Sequence, residues 1–321
     1  MKKNTNNTKL FFLQSSPHKP TLSLLGARNR LCLASALLSF FTFASLLSLH
    51  PFSSTTTTTI PPPNLSSSTS APAAAASRHP SLPAPIFDAL LFYATSSSTP
   101  GRMADTDVRA AAAVLRSRAP CNLLVFGLGH ESPLWLALNH GGHTVFVDHS
   151  DLRASRFEDQ RPGLPGLEVY ATAFPTRVSD LHPLLAAVRP EEASPRGRCR
   201  PVQDLLFSDC PLALSDLPNH LFRLAWDVVF VDGPPGYHPD APGRAAAIFT
   251  AAVLARSVGG EGTTDVMVHD HDREVEKVCS EEFLCQENMV GSAGNLAHFV
   301  IHRGRDAGGG GFCKNRTSAT S

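Results

Sequence analysis

The sequence predicts an α/β domain built on a doubly wound, mostly parallel sheet, and three observations carry that prediction. Between Asn122 and Asp148 an apolar run (Asn122 to Phe126) enters the turn Gly127-Leu128-Gly129, a helical segment follows, and a second apolar run (Thr144 to Val147) ends on an acid. That order of strand, glycine turn, helix, strand and carboxylate is the first half of a nucleotide-binding sheet. The later run Trp226 to Val231, WDVVFV, ends on Asp232, and Thr264 to Val268 ends on His269-Asp270. Neither run alternates apolar with polar, so both belong to strands buried on two faces, and the helical stretches between them supply the cover.

Taken in chain order, the elements begin with a helical lead-in over Ile86 to Tyr93 and Thr106 to Arg116. After the first two strands come a polar helix, a third strand near Leu167 to Thr172, and a helix from Val178 to Val188. Glu191 to Arg200 reads as a loop. An alanine-rich helix from Arg244 to Ser257, a helix from Arg273 to Leu284 and a strand from Leu296 to Ile301 complete the pattern. The folded unit is expected over 86–303.

Ligands of such sheets sit beyond the carboxyl ends of the strands. Gly127 and Gly129 would let the backbone approach a ligand closely, and Asp148 would accept the two hydroxyls of a ribose. The third glycine of a dinucleotide fingerprint is missing, and a donor without pyrophosphate, S-adenosylmethionine, suits the shorter turn. Asp232, His269 and Asp270 share that edge and are candidates for the base that draws a proton from an alcohol during methyl transfer. Alternatively Asp232 and Asp270 would hold a divalent metal that acidifies the hydroxyl. The loop DGPPGYHPDAPGR brings Tyr237, His238, Asp240 and Arg244 over the same edge, with Tyr237, His238 and Arg244 as the candidate substrate contacts. Arg244 is the natural partner of an anionic substrate, or else an ordinary arginine at a helix start.

The first hundred residues are not globular. Lys2, Lys3, Lys9, Lys19, Arg28 and Arg30 precede an uncharged apolar stretch, Leu31 to Leu49, and the first acid is Asp88. That arrangement predicts a basic cytosolic tail (1–30), a transmembrane signal anchor (31–49) and a lumenal remainder. A cleaved signal peptide and a plastid transit peptide are the rival readings. The short span suits the membranes of the early secretory path, the Golgi apparatus or endoplasmic reticulum. Residues 50–85, rich in Pro, Ser, Thr and Ala, form a stem, and 304–321 a disordered tail. Asn64 and Asn315 begin glycosylation sequons.

Equal numbers of basic and acidic residues, 28 each, and 7% aromatics argue against a nucleic-acid partner. Six of the seven cysteines would be lumenal. Cys199 and Cys210 close a short loop and make the expected disulfide, the other pairings staying open. No CxxC pair suggests zinc.

The segments CNLLVFGLGHESPLWLALNHGG, WDVVFVDGPPGYHPDAPGRAAAIFTAAVLARS, VHDHDREVEKVCSEEFLC and NLAHFVI resemble a plant family of polysaccharide-biosynthesis proteins. It holds the glucuronoxylan 4-O-methyltransferases and the irregular xylem fifteen proteins, and the resemblance covers about Asn122 to Arg303. CRPVQDLLFSDCPLALSDLPNHLF and the FC near the C-terminus look like the irregular xylem fifteen branch, whereas FGLGHES and GYH look like the methyltransferase branch. The resemblance implies a single-pass type II Golgi membrane protein that works with wall xylan and Golgi glycosyltransferases. It further implies either methyl transfer to the 4-hydroxyl of glucuronosyl groups or a non-catalytic accessory role; arabinogalactan glucuronate is another acceptor. Two departures stand out. Positions 245–247 are alanines where the family usually has a methionine after the arginine, and Asn295-Leu296-Ala297 replaces the methyltransferase branch's glycine-arginine-leucine-arginine.

Overall fold

The computed structural model describes residues 81–96, 99–192, 194, 196–257, 261–304 and 311–314. The expected basic tail, the anchor, most of the stem, both sequons and part of the C-terminal tail lie outside them. No helix among the described residues is long and apolar enough to cross a membrane.

Two helices lead in, α1 (Ala84–Ser96) and α2 (Asp105–Arg118). Asp105 and Asp107 stand in the first turn of α2 and Arg116 and Arg118 in its last, each sign opposing the helix dipole. Strand β1 (Asn122–Phe126), helix α3 (Ser132–Leu138) and β2 (His143–Asp148) form the nucleotide-type half, and α4 (Asp151–Asp159) leads to β3 (Leu167–Ala171). Then follow α5 (Leu181–Glu192), β4 (Val228–Val231), α6 (Ala245–Ser257), β5 (Thr263–Val268), α7 (Glu274–Cys279), β6 (Met289–Ala293) and β7 (Leu296–His302).

The seven strands lie in the order β3-β2-β1-β4-β5-β7-β6. Neighbours from β3 through β5 run parallel, while β7 runs antiparallel to both β5 and β6. This is the methyltransferase-like α/β fold expected from the sequence. Side chains alternate across the sheet: Leu123 and Val125 pack with α2 and α3, Leu124 and Phe126 with the opposite layer. Helix α6 is buried from Ala245 through Arg256. Its alanines let it lie close against the strands, and burial all round explains why it shows no polar face.

Register matters most for the site. Phe126 pairs with Val147 on one side and Val231 on the other, and Val231 pairs with Val268. The next residues therefore form a row along the strand ends: Asp148, Gly127, Asp232, His269. Backbone bonds extend the ladder into it, Gly127 N–H to Val147 O (2.7 Å), Asp232 N–H to Phe126 O (2.8 Å) and His269 N–H to Val231 O (3.0 Å).

The Cys199–Cys210 disulfide forms as expected, and a second joins Cys285 to Cys313. That second bridge corrects the expectation for the tail. Gly311 to Lys314 is placed, and Phe312 is buried against Phe249 and Phe283 with ring centroids 5.6 and 5.1 Å away. The folded unit thus reaches past 303, because an aromatic side chain and a covalent bond fix the tail that glycines precede. The other correction is β6, a strand absent from the expected elements.

Candidate active site

A cleft of about 490 Å³ opens over the strand ends, lined by the glycine turn, Glu131, Arg153, Asp232, Tyr237, Arg244, His269, Asp270 and Arg273, with Arg102 and Met103 from the lead-in. A larger depression, 1270 Å³, lies at the opposite edge where β1 begins, around Cys121, His140 and His143. Two of the strand-end carboxylates, Asp232 and Asp270, line the smaller cleft with His269, which makes it the candidate chemical site.

Gly127 holds φ +103°, and a Cβ there would stand 2.7 Å from the backbone nitrogen of Gly233. Only glycine lets the turn after β1 and the turn after β4 touch backbone to backbone. Gly129 keeps an opening: a Cβ at that position would sit 3.4 Å from Asp232 Oδ2 and 3.7 Å from Glu131 Oε2. Two carboxylate oxygens thus wall the space beside Gly129. Glu131 is 7% exposed, and its other oxygen accepts the N–H of Met103 at 2.8 Å.

At the centre, Asp232 Oδ1 lies 2.9 Å from His269 Nδ1, and His269 Nε2 lies 3.5 Å from Asp107 Oδ2. The imidazole is therefore held between two carboxylates, while Asp232 Oδ2 faces the cleft. Burial on its own would lower the His269 pKa, but the hydrogen bond and charge of Asp232, with the charge of Asp270, outweigh it and raise the value above the ordinary one. Asp107 is buried on α2 and also accepts the Asn295 N–H at 3.3 Å.

Three expectations meet a different geometry. Asp148 reaches its predicted place beside the glycine turn but is 0% exposed. Its Oδ2 accepts the Leu128 N–H (2.7 Å), its Oδ1 the Ser150 N–H (2.8 Å), and Arg153 Nη2 donates to both oxygens (3.0 and 2.8 Å). It orders the glycine turn and offers no free acceptor to a ribose; Arg153, not Asp148, lines the cleft. Arg244 is 2% exposed and spent on the protein. It donates to Pro234 O (2.9 Å), His269 O (2.7 Å), Asp232 O (3.3 Å) and Asp270 Oδ2 (2.9 Å), and Glu276 Oε1 is 3.5 Å away. Asp270, at φ +57°, shares its Oδ2 between Arg244 and Arg273 (2.9 and 2.6 Å), so it is poorly placed as a base or a metal ligand. Among the described residues the group with metal-ligand spacing is Cys285, Glu287 and Cys313, and two of these are joined in a disulfide. A divalent metal at the strand ends is therefore not supported.

Of the loop residues, Tyr237 lines the cleft, whereas His238 is exposed outside its lining and Asp240 pairs at 3.6 Å with Arg177. Glu131, Asp107, Arg153 and Arg273 were not anticipated. Glu131 had a signal, a carboxylate two residues beyond the glycine turn. Asp107 had none, since a helix ahead of the sheet carries it.

Sheet order and the glycine turn at the strand ends together define a methyltransferase-like α/β fold. The chain belongs to the family described as IRX15/IRX15L/GXM, whose model matches residues 106–299. It is 44% identical to Protein IRX15-LIKE of Arabidopsis thaliana over 317 residues, covering 98% of this chain and 96% of that one. It is 42% identical to Glucuronoxylan 4-O-methyltransferase 3 of the same plant over 232 residues, covering 72% and 74%. A solved S-adenosylmethionine-dependent methyltransferase from Aquifex aeolicus aligns over 66% of this chain and 98% of its own, at 10% identity and a TM-score of 0.34.

Proposed function

We propose that this chain serves xylan assembly in the secondary wall from the Golgi membrane, its domain in the lumen, and that its cleft transfers methyl from S-adenosylmethionine to the 4-hydroxyl of a glucuronosyl side group. The name of the relative Glucuronoxylan 4-O-methyltransferase 3 supports the polysaccharide and the reaction. The basic N-terminus followed by an uncharged apolar stretch supports the topology. The chemistry rests on one observation: Asp232 presents Oδ2 to the cleft while His269, backed by Asp107, holds its Oδ1.

The residues fit a cationic nucleoside donor. Gly127 and Gly129 bring backbone close, and Glu131 and Asp232 face the opening with negative charge. When bound, S-adenosylmethionine supplies a methyl group already activated on a sulfonium. The chain's own work is then at the acceptor. Asp232 Oδ2 takes the proton from the attacking hydroxyl, and the imidazole between Asp232 and Asp107 steadies the charges on either side. General-base removal costs about 10²–10⁴ in rate.

A second reading, a non-catalytic accessory of the xylan-synthesising machinery, is favoured by the closure of Asp148 behind Arg153. Full-length protein in detergent distinguishes them. Calorimetry with S-adenosylmethionine and isotopic methyl transfer to unmethylated glucuronoxylan oligosaccharides should both be positive, and Asp232→Asn should slow transfer about 10²–10⁴-fold, far more than it weakens donor binding. No donor binding and no transfer, with arabinogalactan oligosaccharides included as acceptors, would establish the accessory role.

A further inference from the structure

We propose that Tyr237 and Arg273 form the acceptor subsite, the tyrosine ring stacking on a pyranose face and the guanidinium reading the carboxylate of that sugar. The proposal rests on the methyl-transfer reading and moves the uronate contact away from Arg244, which is 2% exposed and bonded inside the protein.

Tyr237 is 71% exposed, which is unusual for a large ring on a fixed segment. The loop that carries it is strapped to residues 176–179 by the Gly243 N–H to Thr176 O (2.8 Å), the Val178 N–H to Ala241 O (3.1 Å) and the Ser179 N–H to Pro239 O (2.9 Å). A bare aromatic held in one place at the mouth of a cleft is a preorganised platform. Its phenol is amphipathic, suited to a ligand with an apolar C–H face and a hydroxylated rim. A pyranose ring has that shape.

Arg273 lies over one face of the ring, Cζ 5.0 Å from its centroid, so a pyranose would stack on the other face. Nη1 donates to Pro235 O at 2.7 Å and Nη2 lies in an ion pair 2.6 Å from Asp270 Oδ2, so the group is pinned with guanidinium donors left over. The other cations of the cleft face elsewhere, Arg153 toward Asp148 and Arg102 toward Asp105 and the carbonyls of Ala94 and Thr95. A carboxylate on a sugar stacked at Tyr237 would therefore meet Arg273 first. An arginine matches that anion with two parallel bonds.

Full-length protein would be titrated with a xylo-oligosaccharide bearing one glucuronosyl group, with the neutral oligosaccharide of equal length, and with S-adenosylmethionine. The wild type should prefer the uronate. Tyr237→Ala should weaken both sugars about tenfold, Tyr237→Phe should retain binding, and Arg273→Gln should erase the preference while sparing the neutral sugar. Donor affinity should stay unchanged in all three. Unaltered sugar affinity in Tyr237→Ala, or a retained preference in Arg273→Gln, would overturn the subsite and leave the methyl-transfer reading standing. A wild type that binds donor but neither sugar would bring down both.

Discussion

Replacing Arg244 should damage the fold before it damages substrate binding. The side chain is 2% exposed and ties three carbonyl oxygens, those of Asp232, Pro234 and His269, to two carboxylates, Asp270 and Glu276. Glu276 is itself buried; desolvation raises its pKa against the opposing charge of Arg244, so removing that charge leaves the acid harder still to ionise. Breaking a buried pair by deleting one partner costs about 3–5 kcal/mol. For a domain of this size that is roughly 10 °C of melting temperature. Arg244→Gln and Arg244→Lys would be compared with wild type by circular-dichroism melts and urea titration. Lysine keeps the charge but cannot reach all the carbonyls, so it should recover only part of the loss. An Arg244→Gln protein that melts with the wild type yet has lost affinity for uronate oligosaccharides would refute this reasoning and restore the arginine as a substrate clamp.

Asp148→Ala should lose stability together with donor affinity, because the N–H groups of Leu128 and Ser150 are left without acceptors at about 1–3 kcal/mol each; lost donor binding at an unchanged melting temperature would make it a direct ribose contact. His269 has its pKa raised from 6.5, so its charged form contributes stability that is complete below that value and fades as pH rises through the raised one. The unfolding free energy of wild type minus that of His269→Gln should accordingly shrink above pH 6.5, and a difference flat with pH would contradict the carboxylate–imidazole–carboxylate arrangement. Cys313→Ser opens a bridge spanning 28 residues and should cost about 3–4 kcal/mol in urea unfolding, against roughly 3 for Cys199→Ser with its span of 11; no loss in either would mean the bridge does not form. Protease added to intact microsomes should spare the domain, and digestion without detergent would exclude the lumenal placement.

The parallel strands were legible because burial on both faces removes polar residues from the run, as in Val228 to Val231. Strand β6 was not, since Met289 to Ala293 is half exposed and includes Gly291 and Ser292, leaving no apolar pattern to read. Position along the chain placed Asp232 and His269 side by side, but it could not say which way a side chain turns. Asp148 and Arg244 both sit where expected and both point inward, Asp148 to Leu128, Ser150 and Arg153, Arg244 to groups of the neighbouring strand ends. Asp107 and Phe312 are the converse cases. Each comes from far along the sequence into a contact that no local periodicity encodes.

The contact between Gly127 and Gly233 has a mechanical consequence. A Cβ on Gly233 would stand 2.5 Å from the Gly127 Cα, and one on Gly127 would strike the Asp232–Gly233 peptide. The segment that would cradle the donor and the segment that carries Asp232 and Tyr237 bear on each other through bare main chain, with no side chain between them to yield. Neither can be displaced without pushing the other, so an insertion or strain in one would be felt at the opposite wall of the cleft. Engineering the acceptor loop for a new sugar would have to begin beyond Gly233, where the two segments part.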